Sequence, residues 1–415
     1  MSILSTFLSK NDILKQRLFR RFLAFRLFFI GALNMQITIL AYWIYDISHD
    51  VRLVGELGLW EAIPAIGCSF FSGHFIDQKE KRNILLICSV IYIISALYYC
   101  GLSFWHGEQL TTAVTVRLVF LGIFIGGVVR SFIGPTTFTM VSLLVQRDKL
   151  ASATSWSSTS WYIGSVGGPL IGGLLIGIVG VKMSLAIVAF VLLLAFLSML
   201  FIPRQEILKK DKEPIMKSLK QGLNFVFKSP IILSVLSLDM FAVLFGGAVA
   251  LLPVYAKDIL KVGEMGFGVM RAAPGVGAII TMLILSFIPL EKKPGVKLLF
   301  AIAGFGICMI VFGVSTWFPL SVAMLVLGGM FDAVSVVIRG TILQLHTPDE
   351  MRGRVAAVNT MFISSSNELG EVESGYTAAW MGTVNSVVFG GSMTLLVVLF
   401  TILLVPSLRL LKLKK

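Results

Sequence analysis

The sequence predicts an all-α polytopic membrane protein, with twelve transmembrane helices in two six-helix repeats, and three observations carry that expectation. Hydrophobic residues make up 56% of the 415-residue chain, and the mean hydropathy is +0.90. A soluble monomer this apolar would expose patches well beyond what such proteins tolerate. Apolar runs such as Val181 to Ile202 and Val384 to Leu408 reach the ~20 residues needed to cross a hydrocarbon core. The longest polar stretch, Arg204 to Lys228, falls close to the chain midpoint and divides the spans six and six.

Taken in order, the spans read as 20–46, 51–77, 83–105, 112–145, 151–180 and 183–203, then 231–257, 266–289, 295–316, 318–346, 354–382 and 385–408. On this map one side of the membrane receives Lys10, Lys15, Arg17, Arg20, Arg21, the basic loop at 79–82, Arg147 and Lys149. The same side takes the 204–228 linker, Lys292, Lys293, Lys297, Arg352, Arg354 and the tail from Arg409. The other side receives Arg52, Lys182, Lys257 and Lys261. That asymmetry is the positive-inside signature and assigns both termini to the cytoplasmic side. The net charge of +13 therefore reflects topology, not nucleic-acid binding. The residues before the first span are polar and basic, without the apolar core and small-residue site of a cleaved signal, so that span is expected to be retained.

Several elements have a local rationale. After the second span comes "GHFIDQKEKR" (Gly73 to Arg82), in which Asp77 at a span end precedes Lys79, Lys81 and Arg82. Such an acid can cap a helix and pair with a neighbouring span, or simply form a solvated turn. The fifth span carries "GSVGGPLIGG" (Gly164 to Gly173). Its glycines leave one face bare for close helix contact, and Pro169 removes a backbone donor and bends the helix. In the linker, apolar residues at 215, 216, 219, 223, 226 and 227 form one helical stripe, which predicts an amphipathic helix along the cytoplasmic face. The expected organisation is a six-helix bundle over 1–203, a cytoplasmic linker over 204–230 and a second bundle over 231–415. Polar turns with Asp148 after the fourth span and Asp349 after the tenth lie nearly half a chain apart, as parallel repeats would place them.

The four cysteines lie in or beside spans without paired spacing, and the four histidines have no metal-ligand spacing, so no metal or cofactor is expected. With no nucleotide-binding motif and no nucleophile–base constellation in view, neither ATP drive nor an intramembrane enzyme is expected.

These segments resemble the major facilitator superfamily. The loop after the second span is similar to its signature there: Gly73, Asp77, Lys81 and Arg82 match, and Glu80 stands in place of the second glycine. The fifth-span segment is similar to the exporters' G-x-x-x-G-P-x-x-G-G motif through Gly164, Gly168, Pro169, Gly172 and Gly173. "LLPVYAKDIL", "RAAPGVGA" and "RGRVAAVNTMFISSSNELGEVESG" resemble the enterobactin-exporter-like subgroup. The resemblance implies the major facilitator fold, with the first, fourth, seventh and tenth spans lining a cavity. It also implies alternating access, with proton-coupled export of an amphipathic small molecule such as a siderophore or drug. A lysophospholipid flippase and a non-transporting sensor or scaffold are the alternatives on this fold. A monomer in a bacterial inner membrane is expected.

Embedded charges carry most of the functional information, because each costs roughly 2.5–3.5 kcal/mol at a helix centre unless paired or wet. They are Arg26, Glu61, Arg117, Arg130, Asp239, Arg271, Asp332, Arg339, Glu368, Glu371 and Glu373. Arg130, Asp239, Asp332 and Arg339 are the candidates to line the cavity, or else to form fixed ion pairs. Glu368 and Glu371 share a helical face and are the first candidates for proton exchange, with Asp239 and Asp332 as competitors and Arg271 as the base that would instead neutralise them. The charge map makes one direct prediction: a cysteine introduced at Lys210 resists membrane-impermeant thiol reagents in intact cells, and rapid labelling there would overturn the topology.

Overall fold

A computed structural model describes residues 12–204, 215–287 and 293–409, and the long elements among them are all α-helices. The first four are α1 (Arg17–Ser48), α2 (Val51–Gln78), α3 (Lys81–Trp105) and α4 (Thr112–Leu144). The helical stretch Leu150–Leu200 follows; Gly180, at φ 75°, breaks it into α5 (150–179) and α6 (181–200). Glycine adopts that left-handed backbone without steric cost, so the chain reverses with no loop. A linker helix, Ile215–Lys228, precedes α7 (Pro230–Gly246). Then come α8 (Gly263–Phe287), α9 (Pro294–Val314), α10 (Phe318–His346), α11 (Arg352–Met381) and α12 (Thr383–Leu404).

Nine helices among the described residues are long and apolar enough to cross a membrane, Ser152–Leu200 counting once. Splitting that stretch at Gly180 and adding α2 and α11, which carry Glu61 and the 368–373 glutamates, gives the twelve-helix arrangement the sequence predicts. The seventh span departs from its expected single helix over 231–257. It stops at Gly246, resumes through a 3₁₀ turn at Val249–Leu251, and ends in a π turn at Tyr255–Ile259. Pro253 has no N–H for the carbonyl one turn back, and the Gly246–Gly247 pair weakens the helix just before it.

Two compact units group residues 1–43 with 60–211, and 44–59 with 212–415. In the first unit, Phe19, Phe22, Phe25 and Phe29 of α1 recur at helical spacing and are essentially fully buried. Phe29 meets Tyr92 of α3 edge-on at 5.6 Å, and the Tyr92 hydroxyl donates to the Gly126 carbonyl at 2.9 Å. Close α1–α5 contact follows from the glycine motif. A Cβ at Gly164 would lie 2.9 Å from the Gly31 nitrogen, and one at Gly168 would lie 2.6 Å from the Gly31 carbonyl oxygen. Gly172 continues the seam against Met35, Gly173 is buried, and Gly167 faces open space.

In the second unit one apolar cluster joins α7, α9, α10 and α12 through Val235, Leu238, Leu298, Ile302, Ile338 and Val398. Another joins the linker helix to α7, α10 and α11 through Val226, Ile232, Leu236, Leu343, Val355 and Val358. Of the expected stripe on the linker helix, Leu223 and Val226 pack on this cluster, and the side chains at 215, 216 and 219 lie outside the described residues. Gly222 and Val226 face the protein, Gly222 so closely that a Cβ would lie 2.8 Å from the Arg354 carbonyl, while Phe227 is exposed.

The α1–α5 seam predicts a sharp positional contrast. Gly168→Leu should lower stability by about 1–3 kcal/mol or more through overpacking against backbone, whereas Gly167→Leu should change it little. Thermal unfolding in detergent measures both.

Candidate functional site

Ion pairing organises the membrane-embedded charges. On α2 and α4, Arg130 bonds Glu61 at 2.8 Å. Gly127, one turn before Arg130, makes this possible: a side chain there would run into the Glu61 carbonyl and the Pro64 ring, 2.6 Å away. The missing Cβ lets α2 lie directly on α4, and the carboxylate and guanidinium meet beside that contact.

Asp239 of α7 and Arg339 of α10 form a second ion pair, with both side chains at least nine-tenths buried. The Ser335 hydroxyl donates to Asp239 Oδ1 at 3.3 Å. Leu238, Ala242, Ile338 and Ile342 surround the pair in the apolar cluster. A pair so enclosed needs both members, because either charge alone would be stranded in a low-dielectric medium.

On α11, Glu371 and Glu368 share the electrostatic field of Arg271 on α8, with Glu371 the stronger partner. The tip of the first hairpin, residues 44–59, packs on the same stretch. A Cβ at Gly58 would collide with the Glu368 carboxylate, and one at Gly55 would lie 2.5 Å from the Glu371 carbonyl. Gly375 of α11 faces the same tip, where the Val51 carbonyl would be 3.1 Å from a Cβ there. Polar contacts reinforce the tip. Asp46 pairs with Lys257, the Tyr45 hydroxyl donates to Asp258, and the Tyr376 hydroxyl donates to Glu56 at 2.7 Å. In the turn between α1 and α2, a hydrogen bond from Arg52 holds the Asp50 carboxyl below its usual range. Sequence reasoning missed Asp46, Glu56 and Asp258 as partners, since polar residues near span ends read as ordinary solvated positions.

Asp332 is different. It sits at the middle of α10 (Phe318–His346), half-buried, and no cation or hydrogen-bond donor meets its carboxylate among the described residues. Glu373 lies nearer the end of α11, and the hydroxyl of its neighbour Ser374 donates to the Gly247 carbonyl at 2.5 Å.

At the 73–82 loop, Gly73 and Asp77 lie in the last turns of α2, and the Asp77 side chain falls outside the described residues. Lys81 is buried and donates to the Ile76 carbonyl at 2.6 Å and the Lys79 carbonyl at 3.0 Å, satisfying the end of α2. Glu80 caps α3, accepting from the Arg82 and Asn83 backbone N–H groups at 3.2 and 3.1 Å. The acid in place of a glycine is thus a helix start. Arg82 reaches the Leu200 carbonyl at 2.8 Å, and Arg21 reaches that of Phe201 at 2.6 Å, so two guanidinium groups cover the end of α6.

The buried pair predicts an asymmetric mutational response. Asp239→Asn or Arg339→Gln alone should destabilise the protein by about 3–5 kcal/mol, while the double variant Asp239→Leu/Arg339→Met should recover most of that loss. Thermal unfolding and membrane yield measure all three.

The comparisons with known proteins agree with this architecture. The family model described as Major Facilitator Superfamily matches residues 22–371. Enterobactin exporter EntS of Shigella dysenteriae serotype 1 (strain Sd197) is 25% identical, with 91% of this chain and 88% of that protein covered. EntS of Escherichia coli O127:H6 (strain E2348/69 / EPEC) matches to the same extent, at 25% identity with 91% and 88% covered. Among solved structures, a D-xylose-proton symporter superposes with a TM-score of 0.72 at 14% identity, covering 97% of this chain and all of its own. The POT family transporter PepTSo superposes with a TM-score of 0.72 at 13% identity, covering 95% of this chain and 99% of its own. At such identities these two likenesses are of fold. The matched family model, spanning most of the chain, makes this an integral membrane transporter: it belongs to the Major Facilitator Superfamily.

Proposed function

We propose that the chain is a secondary transporter of a bacterial inner membrane, with cytoplasmic termini, that exports an amphipathic small molecule in exchange for protons bound at Asp332. The pairing pattern carries this reading. Arg130 balances Glu61, Arg339 balances Asp239, and Arg271 stands beside Glu368 and Glu371. Asp332 has no such cation among the described residues.

The chemistry follows from the bilayer. A carboxylate with a fixed cation keeps its charge when its surroundings dry, so it is poorly suited to carry a proton. A carboxyl without one must be wet while ionised and neutral while dry. Protonation thus becomes tied to which side of the membrane has access, and that link is what antiport requires. Export as the direction rests on the EntS relatives, whose names describe enterobactin exporters. The substrate class, a siderophore or similar amphipathic molecule, comes to this chain by the same route.

Purified protein in proteoliposomes, offered siderophores, cationic drugs and lysolipids with and without a pH gradient, tests the reading. One substrate should accumulate against its concentration gradient when the pH gradient is imposed. Asp332→Asn should lose that drive yet retain substrate binding and gradient-free exchange. Glu368→Gln and Glu371→Gln, where folded, should keep gradient-driven transport. Transport by Asp332→Asn at wild-type pH dependence would rule out this assignment.

A further inference from the structure

The first unit holds a cavity of about 410 Å³ that the transport reading leaves unexplained. Its walls come from the N-terminal half of α1, with Phe25, Arg26 and Phe29, from α4, with Thr137 and Phe138, and from α5, with Ser157 and Trp161. Phe25 and Phe29 are fully buried and stacked, with ring centres 5.3 Å apart. Phe138 is 77% exposed and Trp161 41% exposed.

Two polar groups in this aromatic enclosure lack partners. Arg26 Nε is buried without a hydrogen-bond acceptor, and no carboxylate stands among the lining residues. The Ser157 hydroxyl, 3% exposed, is also unpartnered. An unbalanced guanidinium in a membrane helix is costly, whereas Arg130 and Arg339 each meet a carboxylate. Among the described residues no acid forms an ion pair with Arg26. The volume lies within the range of small-molecule sites, the aromatic walls offer faces for a flat ring, and guanidinium and hydroxyl both donate hydrogen bonds.

We propose that this cavity is a binding site for an anionic aromatic molecule, whose acidic group bonds Arg26 and Ser157 while its ring lies among Phe25, Phe29 and Trp161. The proposal deepens the export reading by giving the substrate a sign of charge: the site takes aromatic acids and rejects aromatic cations of the same shape.

Equilibrium dialysis on the purified full chain in neutral-lipid nanodiscs tests this without any gradient, so its outcome is scored apart from transport. The probes are 1-naphthoate, its cationic counterpart 1-naphthylmethylammonium, and inorganic phosphate. Naphthoate should bind, and the ammonium and phosphate should bind about tenfold or more weakly. Arg26→Gln should weaken naphthoate about tenfold or more, Arg26→Lys by much less, and Ser157→Ala by a smaller factor than Arg26→Gln. Because no carboxylate pairs with Arg26 among the described residues, Arg26→Gln should unfold at no lower temperature than the wild type. Should it fail to fold, Ser157→Ala and the probe series still decide the matter. Equal binding of the two naphthyl probes, phosphate binding as tight as naphthoate, or naphthoate affinity unchanged in either Arg26→Gln or Ser157→Ala would overturn the proposal. A protein that binds naphthoate in this way but moves no substrate in vesicles would leave the site standing and refute the export reading alone.

Discussion

The constraint behind the rest of the structure is the absence of water in the hydrocarbon core. A backbone group there must bond within its own helix, and a charged side chain must find a partner or a wet cavity. Helices satisfy the first demand throughout the spans, and pairing answers much of the second. Arg130 with Glu61 and Arg339 with Asp239 are close ion pairs, and Arg271 lies in the field of Glu371 and Glu368. Against that background Asp332 and Arg26 stand out, one an anion and the other a cation, and they lie in different compact units.

Glycine decides where the pairs form. Ion pairing needs two helices close enough for side chains to meet, and in membranes that approach is set by small residues. Gly127 seats the α2 backbone and so brings Glu61 to Arg130; Gly55 and Gly58 seat the first hairpin's tip on α11 beside Glu371 and Glu368. The Gly164–Gly168–Gly172 seam does the same for α1 and α5, and thereby sets the spacing of the two walls that hold Arg26 and Ser157. The glycines and the charges are therefore one arrangement.

Much of the fold was legible in the sequence, because a span announces itself by local composition. The helices, the reversal near residue 180 and the linker helix after the sixth span all follow from hydropathy, glycine and charge. The seventh span was read too simply, since the effect of Gly246, Gly247 and Pro253 depends on which bonds each would have made. The linker helix was legible as amphipathic, but amphipathicity marks an apolar face without saying what covers it, and here Leu223 and Val226 pack on the protein. Pairing was harder still. Sequence gave the depth of Asp239 and Arg339, but which acid meets which base depends on how helices rotate against one another. Nothing local links Glu61 to Arg130, or Asp46 to Lys257. That Asp332 meets no cation among the described residues is a property of its neighbours and has no signature at position 332.

The packing of the linker helix has a mechanical side. Gly222 rests against the Arg354 carbonyl at the start of α11, and Val226 is locked into the cluster that also holds Ile232 and Leu236 of α7 and Leu343 of α10. The helix is therefore packed into the second unit as one of its own elements. A pull applied to this helix is delivered to the joint of α7, α10 and α11, the helices that carry Asp239, Asp332 and the three α11 glutamates.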